Sequence, residues 1–183
     1  MNVRILNDVR VTLAQTPRVI EGLIAAAPKE SLTWHEADGA WNIVQVLCHI
    51  ADGEHTDWMP RIERILSGGG RFIPFDREAG LTRYRGWTAE ALVGEFGQLR
   101  RANLEKLATL NLSAPHLPLL GEHPEFGPVT LEQLLATWAT HDMAHVAQIA
   151  RILTRSFGRH VGPWTKYFSL LSGGQTQEGQ THA

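Results

Sequence analysis

Apolar side chains recur at helical spacing through four long stretches of this chain. In the first, from about residue 5 to residue 27, Ile5, Leu6, Val9, Leu13, Ile20, Leu23 and Ile24 follow the period of an amphipathic helix. Pro17 falls inside it and predicts either a kink or a restart, with Thr16 as cap and Pro17 in the first helical position. Asn42-Ile43-Val44-Gln45 is a capping-box pattern. The helix it opens is predicted to run to about Leu66, with Ile43, Val46, Leu47, Ile50, Ile62 and Ile65 inward, until Ser67-Gly68-Gly69-Gly70 ends it. Thr88 caps a third helix to about Leu110, with Leu92, Phe96, Leu99, Leu104 and Leu107 as core candidates. Thr130-Leu131-Glu132-Gln133 is a second capping box, and it opens a helix with Leu134, Trp138, Ile149 and Ile152 inward, up to Gly158.

Between these stretches the pattern is lost. Residues 71–87, rich in Arg, Gly and aromatics, read as a long ordered crossover loop, and residues 111–129, with four prolines, have loop composition. Gly162-Pro163-Trp164 turns the chain, and a short segment to Leu171 is expected to pack back on the helices. No strand pattern stands out. These features predict an all-α four-helix bundle with long crossover loops and a short C-terminal helix. One domain is expected over residues 1–171, followed by a polar, mobile tail over residues 172–183.

Composition narrows the partners. With 183 residues, a formal net charge of -2 and 20% charged residues, the chain lacks the basic excess that nucleic acid would require. No apolar run is long enough for a spanning helix and the N-terminus has no signal-peptide core, so a cytoplasmic protein with no membrane partner is expected. The single cysteine, Cys48, agrees weakly with a reducing compartment.

Candidate chemistry centres on His141 and His145, four residues apart on the fourth helix. Nine histidines in a chain of this length give about 0.4 such pairs by chance, so the spacing alone is weak. Position strengthens it. Residues at i and i+4 stand one above the other, and His145 shares a stripe with Trp138, Ile149 and Ile152, so the pair points into the bundle. Buried imidazoles need a partner, and two side by side repel once protonated; a metal ion relieves both problems.

The second helix offers His49, three residues after the inward Val46. Packed helices lie about 8–10 Å apart, which opposed imidazoles can bridge around one ion. Three neutral His ligands leave a coordination position open, the pattern of a catalytic site. Asp52 either orients a ligand or substrate or is a solvated helix carboxylate, and Gln148, three residues after His145, is a second such candidate. Gly53 would leave space above the ion, and Cys48 reads as core filler. His55 falls on another face, while His35, His116, His123, His160 and His182 lie in loops or the tail and are expected to be exposed. No catalytic residue is singled out.

The segment from Trp41 through Glu54, together with Gly127-Pro128-Val129-Thr130-Leu131 and the stretch from His141 to Ile149, resembles the DinB/YfiT-like superfamily of four-helix-bundle metalloproteins. The resemblance implies His49, His141 and His145 as ligands of a divalent metal, zinc or nickel, in a homodimer. It also implies a metal-dependent enzyme acting on a small molecule, such as a transferase or isomerase that uses a low-molecular-weight thiol. Two other readings stay open: a non-catalytic metal-binding dimer with a structural or sensing role, and a small-molecule metallohydrolase. A zincin-type protease is disfavoured, because Asp142 stands where that motif needs Glu.

Overall fold

The computed structural model describes residues 4–172. In chain order the first half contains α1 (Arg4–Ala26), α2 (Lys29–Leu32), α3 (Ile43–Thr56), α4 (Trp58–Leu66) and α5 (Ala79–Arg83). The second contains α6 (Ala89–Thr109), strands β1 (Leu120–His123) and β2 (Gly127–Thr130), and then α7 (Leu131–Ser156), α8 (Gly158–Val161) and α9 (Ser169–Ser172). The architecture is the expected four-helix bundle, built from α1, the α3–α4 unit, α6 and α7. Its short C-terminal helix is α9. The tail expectation, beyond the backbone of Ser172, and His182 lie outside the described residues.

Both capping boxes form. Gln45 N–H donates to the Asn42 side chain while Gln45 Oε1 accepts from Asn42 N–H, and Thr130 and Gln133 exchange the same two bonds. Two local expectations change. Pro17 causes no restart: α1 runs through it, and Thr16 Oγ1 donates back to the Thr12 carbonyl instead of capping. The second helix is not continuous to Leu66. It breaks at Asp57, because Pro60 has no N–H to offer the Thr56 carbonyl.

The connections explain how the bundle is wired. Helix α1 packs on α6 and α7, and the α3–α4 unit packs on α6 and, less extensively, on α7, so α1 and α3 occupy one diagonal of the bundle and α6 and α7 the other. The chain therefore crosses the bundle after α1, through residues 27–42, and again after α6, through residues 110–130; the 71–87 connection, expected as a crossover, instead joins the neighbouring α3–α4 unit and α6 and contains α5. The second crossing carries a hairpin that the sequence pattern did not reveal, with Leu120 opposite Thr130 and His123 opposite Gly127. Four-residue strands are too short to display a period of two. The hairpin holds because Gly121 lies against Phe72, whose ring a Cβ would approach within 2.4 Å. The Phe72 N–H adds a bond to the Glu122 carbonyl.

Burial divides the bundle into two apolar clusters. One gathers Ile20, Val46, Ile50, Phe96 and Ile149; the other gathers Leu13, Trp58, Ile62, Leu107 and Trp138. Helices α1, α6 and α7 each pass from one cluster to the other, and so does the α3–α4 unit. At the crossing points stand Thr16, the run from His49 to Glu54, Arg100, and the His141–His145 segment. A polar layer thus cuts across the middle of the core, where each of its members must find a partner.

The 71–87 connection is clamped onto this layer. Gly80 of α5 sits so close to α3 that a Cβ there would lie 2.6 Å from the Cys48 carbonyl oxygen and 2.9 Å from Asp52 Cβ. Only glycine permits that approach. Arg83 secures it with a 2.6 Å bond from Nε to Asp52 Oδ1.

Candidate metal centre

In the polar layer α3 faces α7, and the three predicted histidines meet there. His49 Nε2 and His145 Nε2 each lie 3.1 Å from His141 Nε2, and the three potential ligand atoms fall within 4.8 Å of one another. Metal–nitrogen bonds of about 2.0–2.1 Å at tetrahedral angles separate two ligand nitrogens by about 3.3 Å. The spacing fits a shared ion.

The proton inventory points the same way. His145 Nδ1 donates to Gln148 Oε1 at 2.8 Å, which leaves its Nε2 lone pair facing the centre. One N–H on His141 Nε2 cannot serve both neighbouring rings at once, and a cation at the common point satisfies every lone pair. By its bond to Nδ1, Gln148 fixes the orientation of the His145 ring. Asp52 does not contact His49: its carboxylate is taken by Arg83 and Thr56. The Nδ1 atoms of His49 and His141 are buried with no partner in hydrogen-bonding geometry.

Electrostatics keeps the rings neutral. Burial, then His145, lowers His49 to about 3, the backbone carbonyl of Arg77 working in the opposite direction. Burial and the other two imidazoles hold His141 well below its ordinary value, and burial lowers His145 despite Gln148 and Asp142. Neutral imidazole is the ligating form.

Aromatic residues wall the centre. Trp41 and Phe75 approach His49 at 5.2 and 5.4 Å between ring centroids, and Trp58 packs edge-on to His141 at 5.1 Å. A cleft of about 620 Å³, including its open mouth, reaches His141 between Gly53, Asp57, Phe75, His123, Phe126 and Thr137. Gly53 keeps its expected opening beside the site: a Cβ added there would meet nothing nearer than Trp58 Nε1, at 3.4 Å. Burial, partly offset by Arg61 and reinforced by Asp52, pushes the Asp57 carboxyl up to about 6.

The other histidines stay away from the triad. His55 and His160 are exposed, as is His35, while Cys48 is buried in the apolar core. Two expectations are corrected. His116 is half-buried and receives the Ser113 N–H, and His123 is half-buried, stacked on Phe126 at 4.6 Å in the cleft wall.

Behind the triad lies a charge network that sequence reading passed over. The Arg100 guanidinium, 1% exposed, donates to both oxygens of Asp142 at 2.6 and 2.9 Å and to Glu54 Oε1 at 2.7 Å. Trp138 Nε1 also donates to Glu54 Oε1 at 2.7 Å, and Asn103 Nδ2 donates to its other oxygen. Burial opposes the Arg100 charge, but the bonds to Asp142 and the attraction of Glu54 outweigh it and raise its pKa. Arg100 Nη1 also reaches the Leu13 carbonyl at 2.9 Å. That carbonyl is the one Pro17 deprives of its helical N–H. A signal was present: Arg100 continues the Leu92–Phe96 stripe and Asp142 follows Trp138 by four. Opposite charges at two inward positions call for each other.

The pKa shifts predict how the metal-free protein responds to acid. Each imidazole binds its proton less well folded than unfolded, so stability is full above pH 6.5 and falls as pH drops toward the folded value. The cost is about 1.4 kcal/mol per pH unit for a ring while the pH stays above its folded value, or about 2 kcal/mol at pH 5 for His49; His141 and His145 add in the same direction. Asp57, raised from 3.8 to about 6, acts oppositely and returns about 1 kcal/mol at pH 5. Denaturant titrations at pH 7 and pH 5 should show a net loss; equal or greater stability at pH 5 would contradict the buried neutral triad.

Comparison with known proteins places this site in a family. No curated protein matches the sequence significantly. The solved structure of YfiT from Bacillus subtilis, described as a probable metal-dependent hydrolase with an unusual four-helix bundle topology, superimposes with a TM-score of 0.70 at 20% identity, covering 82% of this chain and 86% of that one. At that identity the likeness establishes the fold. Residues 12–149, which include all three clustered histidines, match the DinB superfamily, and the chain belongs to it.

Proposed function

We propose that the protein is a metal-dependent enzyme that joins a low-molecular-weight thiol to a small electrophilic substrate, with His49, His141 and His145 holding a divalent ion. The observation that carries this reading is the convergence of three neutral Nε2 atoms beside an open cleft. Zinc and nickel both suit an all-imidazole set. Such an ion, when bound, acidifies a coordinated thiol or water and leaves a coordination position for it.

The chain's own groups have distinct parts. Gln148 fixes the His145 ring, and Trp41, Trp58 and Phe75 exclude water around the imidazoles. Phe126 and Thr137 line the way in for a substrate. Hydrolysis of a small molecule is the second reading. It is favoured by Asp57, a buried cleft carboxyl near pH 6 suited to carry a proton, and by the description of YfiT as a hydrolase.

We further propose that two copies associate and work in the cytoplasm on small molecules. Exposed Phe157, Trp164, Tyr167 and Leu170 near the C-terminal end support an apolar contact, and no helix among the described residues is long and apolar enough to cross a membrane. Light scattering of the purified protein, giving twice the mass of one chain, tests the association.

The decisive assay follows thiol loss across a panel of epoxides, alkyl halides and maleyl compounds, with and without a chelator. Metal-loaded protein should consume thiol, and both chelation and His141→Ala should stop it. Thiol-independent ester or amide cleavage would favour hydrolysis instead, and no turnover of either kind would leave a binding protein.

A further inference from the structure

We propose that Arg77, laid over Trp41 beside the three imidazoles, forms an anion-binding subsite that selects ligands carrying a carboxylate. The proposal rests on the metal-centre reading above and adds a chemical class of ligand to it.

Four arginines of the kind that would draw an acidic ligand are already committed. Arg151 and Arg155 both bind Glu36, at 2.6 and 2.8 Å. Arg83 holds Asp52, and Arg71 reaches the Pro124 carbonyl. Arg77 differs. Its guanidinium carbon stands 5.6 Å from the centre of the Trp41 ring, and the next ring beyond Trp41 is His49, at 5.2 Å. Phe75, two residues earlier on the same loop, touches His49 and lines the cleft.

No carboxylate pairs with Arg77 among the described residues. Asp52, Asp57, Glu54 and Asp142 in the polar layer are each bound to another arginine. Asp76 and Glu78 flank Arg77 in sequence, but Asp76 Oδ1 accepts the Glu78 N–H and neither forms an ion pair with Arg77. The guanidinium is thus a lone cation next to a site built for a second cation. Like charges repel, so an exposed guanidinium beside the site and an ion within it disfavour each other. A ligand that places a negative group between them turns that repulsion into attraction on both sides. The cation–π contact with Trp41 keeps the exposed guanidinium beside the site, and its paired N–H donors suit two-point recognition of a carboxylate. Gly80 and the Arg83–Asp52 pair keep the loop, and with it Arg77, against α3.

Cobalt(II) gives a readout that does not depend on turnover. The Co²⁺-loaded protein is titrated with 3-mercaptopropionate and with 2-mercaptoethanol, following the thiolate-to-cobalt absorption, for wild type, Arg77→Gln and Arg77→Lys. Arg77→Gln should weaken 3-mercaptopropionate about tenfold, in line with loss of a charged hydrogen bond, and leave 2-mercaptoethanol unchanged. Arg77→Lys should retain part of the preference. Equal effects on the two thiols, or none, overturn the subsite while leaving the metal centre intact. Failure of wild type to take up Co²⁺, measured before any thiol is added, overturns both. Direct chelation by the carboxylate is recognised because its advantage would survive in Arg77→Gln.

Discussion

His49→Ala is expected to abolish stoichiometric metal binding. Protein loaded with Zn²⁺ or Ni²⁺ and desalted should carry about one ion per chain, and the variant should carry essentially none by elemental analysis. Changes to residues that only orient a ligand cost roughly 10–100-fold in affinity; removing one of three direct ligands costs more. His141→Ala and His145→Ala should behave alike, and His55→Ala, on an exposed face, should bind as wild type does. Thermal denaturation separates this from misfolding. An ion at 100 times its dissociation constant stabilises the native state by about 2.7 kcal/mol, so wild type should gain melting temperature on loading. The metal-free variant should melt near metal-free wild type and gain nothing. Metal retained by His49→Ala would remove α3 from the site.

Arg100→Met is expected to have the largest effect on stability. It leaves Glu54 and Asp142, both buried, without their cation. Breaking a buried ion pair from one side costs about 3–5 kcal/mol, a large share of the roughly 5–15 kcal/mol typical of a whole domain. The Leu13 carbonyl also loses its donor. Two second-site changes follow from this geometry. Glu54→Gln with Asp142→Asn removes the stranded charges and should recover part of the loss. Pro17→Ala restores a helical N–H to Leu13 and should recover about 1 kcal/mol in the Arg100→Met background. Denaturant midpoints of the four proteins check the series. A cost below about 1 kcal/mol for Arg100→Met would mean that the network is replaced by water.

This network also bears on the metal centre. Asp142 sits between the two clustered histidines of α7, and Trp138, one turn earlier, joins Glu54 to a stack with Trp58 at 5.7 Å. Trp58 in turn meets His141. The candidate ligands are therefore held from behind by charge and aromatic contacts, so Arg100→Met should weaken metal binding as well as folding.

Much of this was readable from residues alone. The inward positions Ile43, Val46, Leu47, Ile50, Ile62, Ile65, Trp138, Ile149 and Ile152 are all buried. Helix starts at Asn42, Thr88 and Thr130 are capped as their residue types require. Spacing on one helix brought His141 and His145 together, since a period of 3.6 fixes which side chains share a face. Local information of this kind is carried by a few neighbouring residues, and it survives whatever the rest of the chain does.

What lay beyond it was nonlocal. His49 and His141 are 92 residues apart, and their meeting depends on the diagonal wiring that sets α3 against α7. Arg100 finds its partners only when α1, α3 and α7 close around it, and the acids that hold it come from two different helices. Arg77 acquired meaning through Trp41 and the clamp at Gly80, neither of which leaves a periodic trace. Periodicity tells a side chain which way to face, but the partner it finds there is chosen by how helices distant in sequence pack, and in this protein that choice placed the charges, the aromatic walls and the open cleft around three imidazoles.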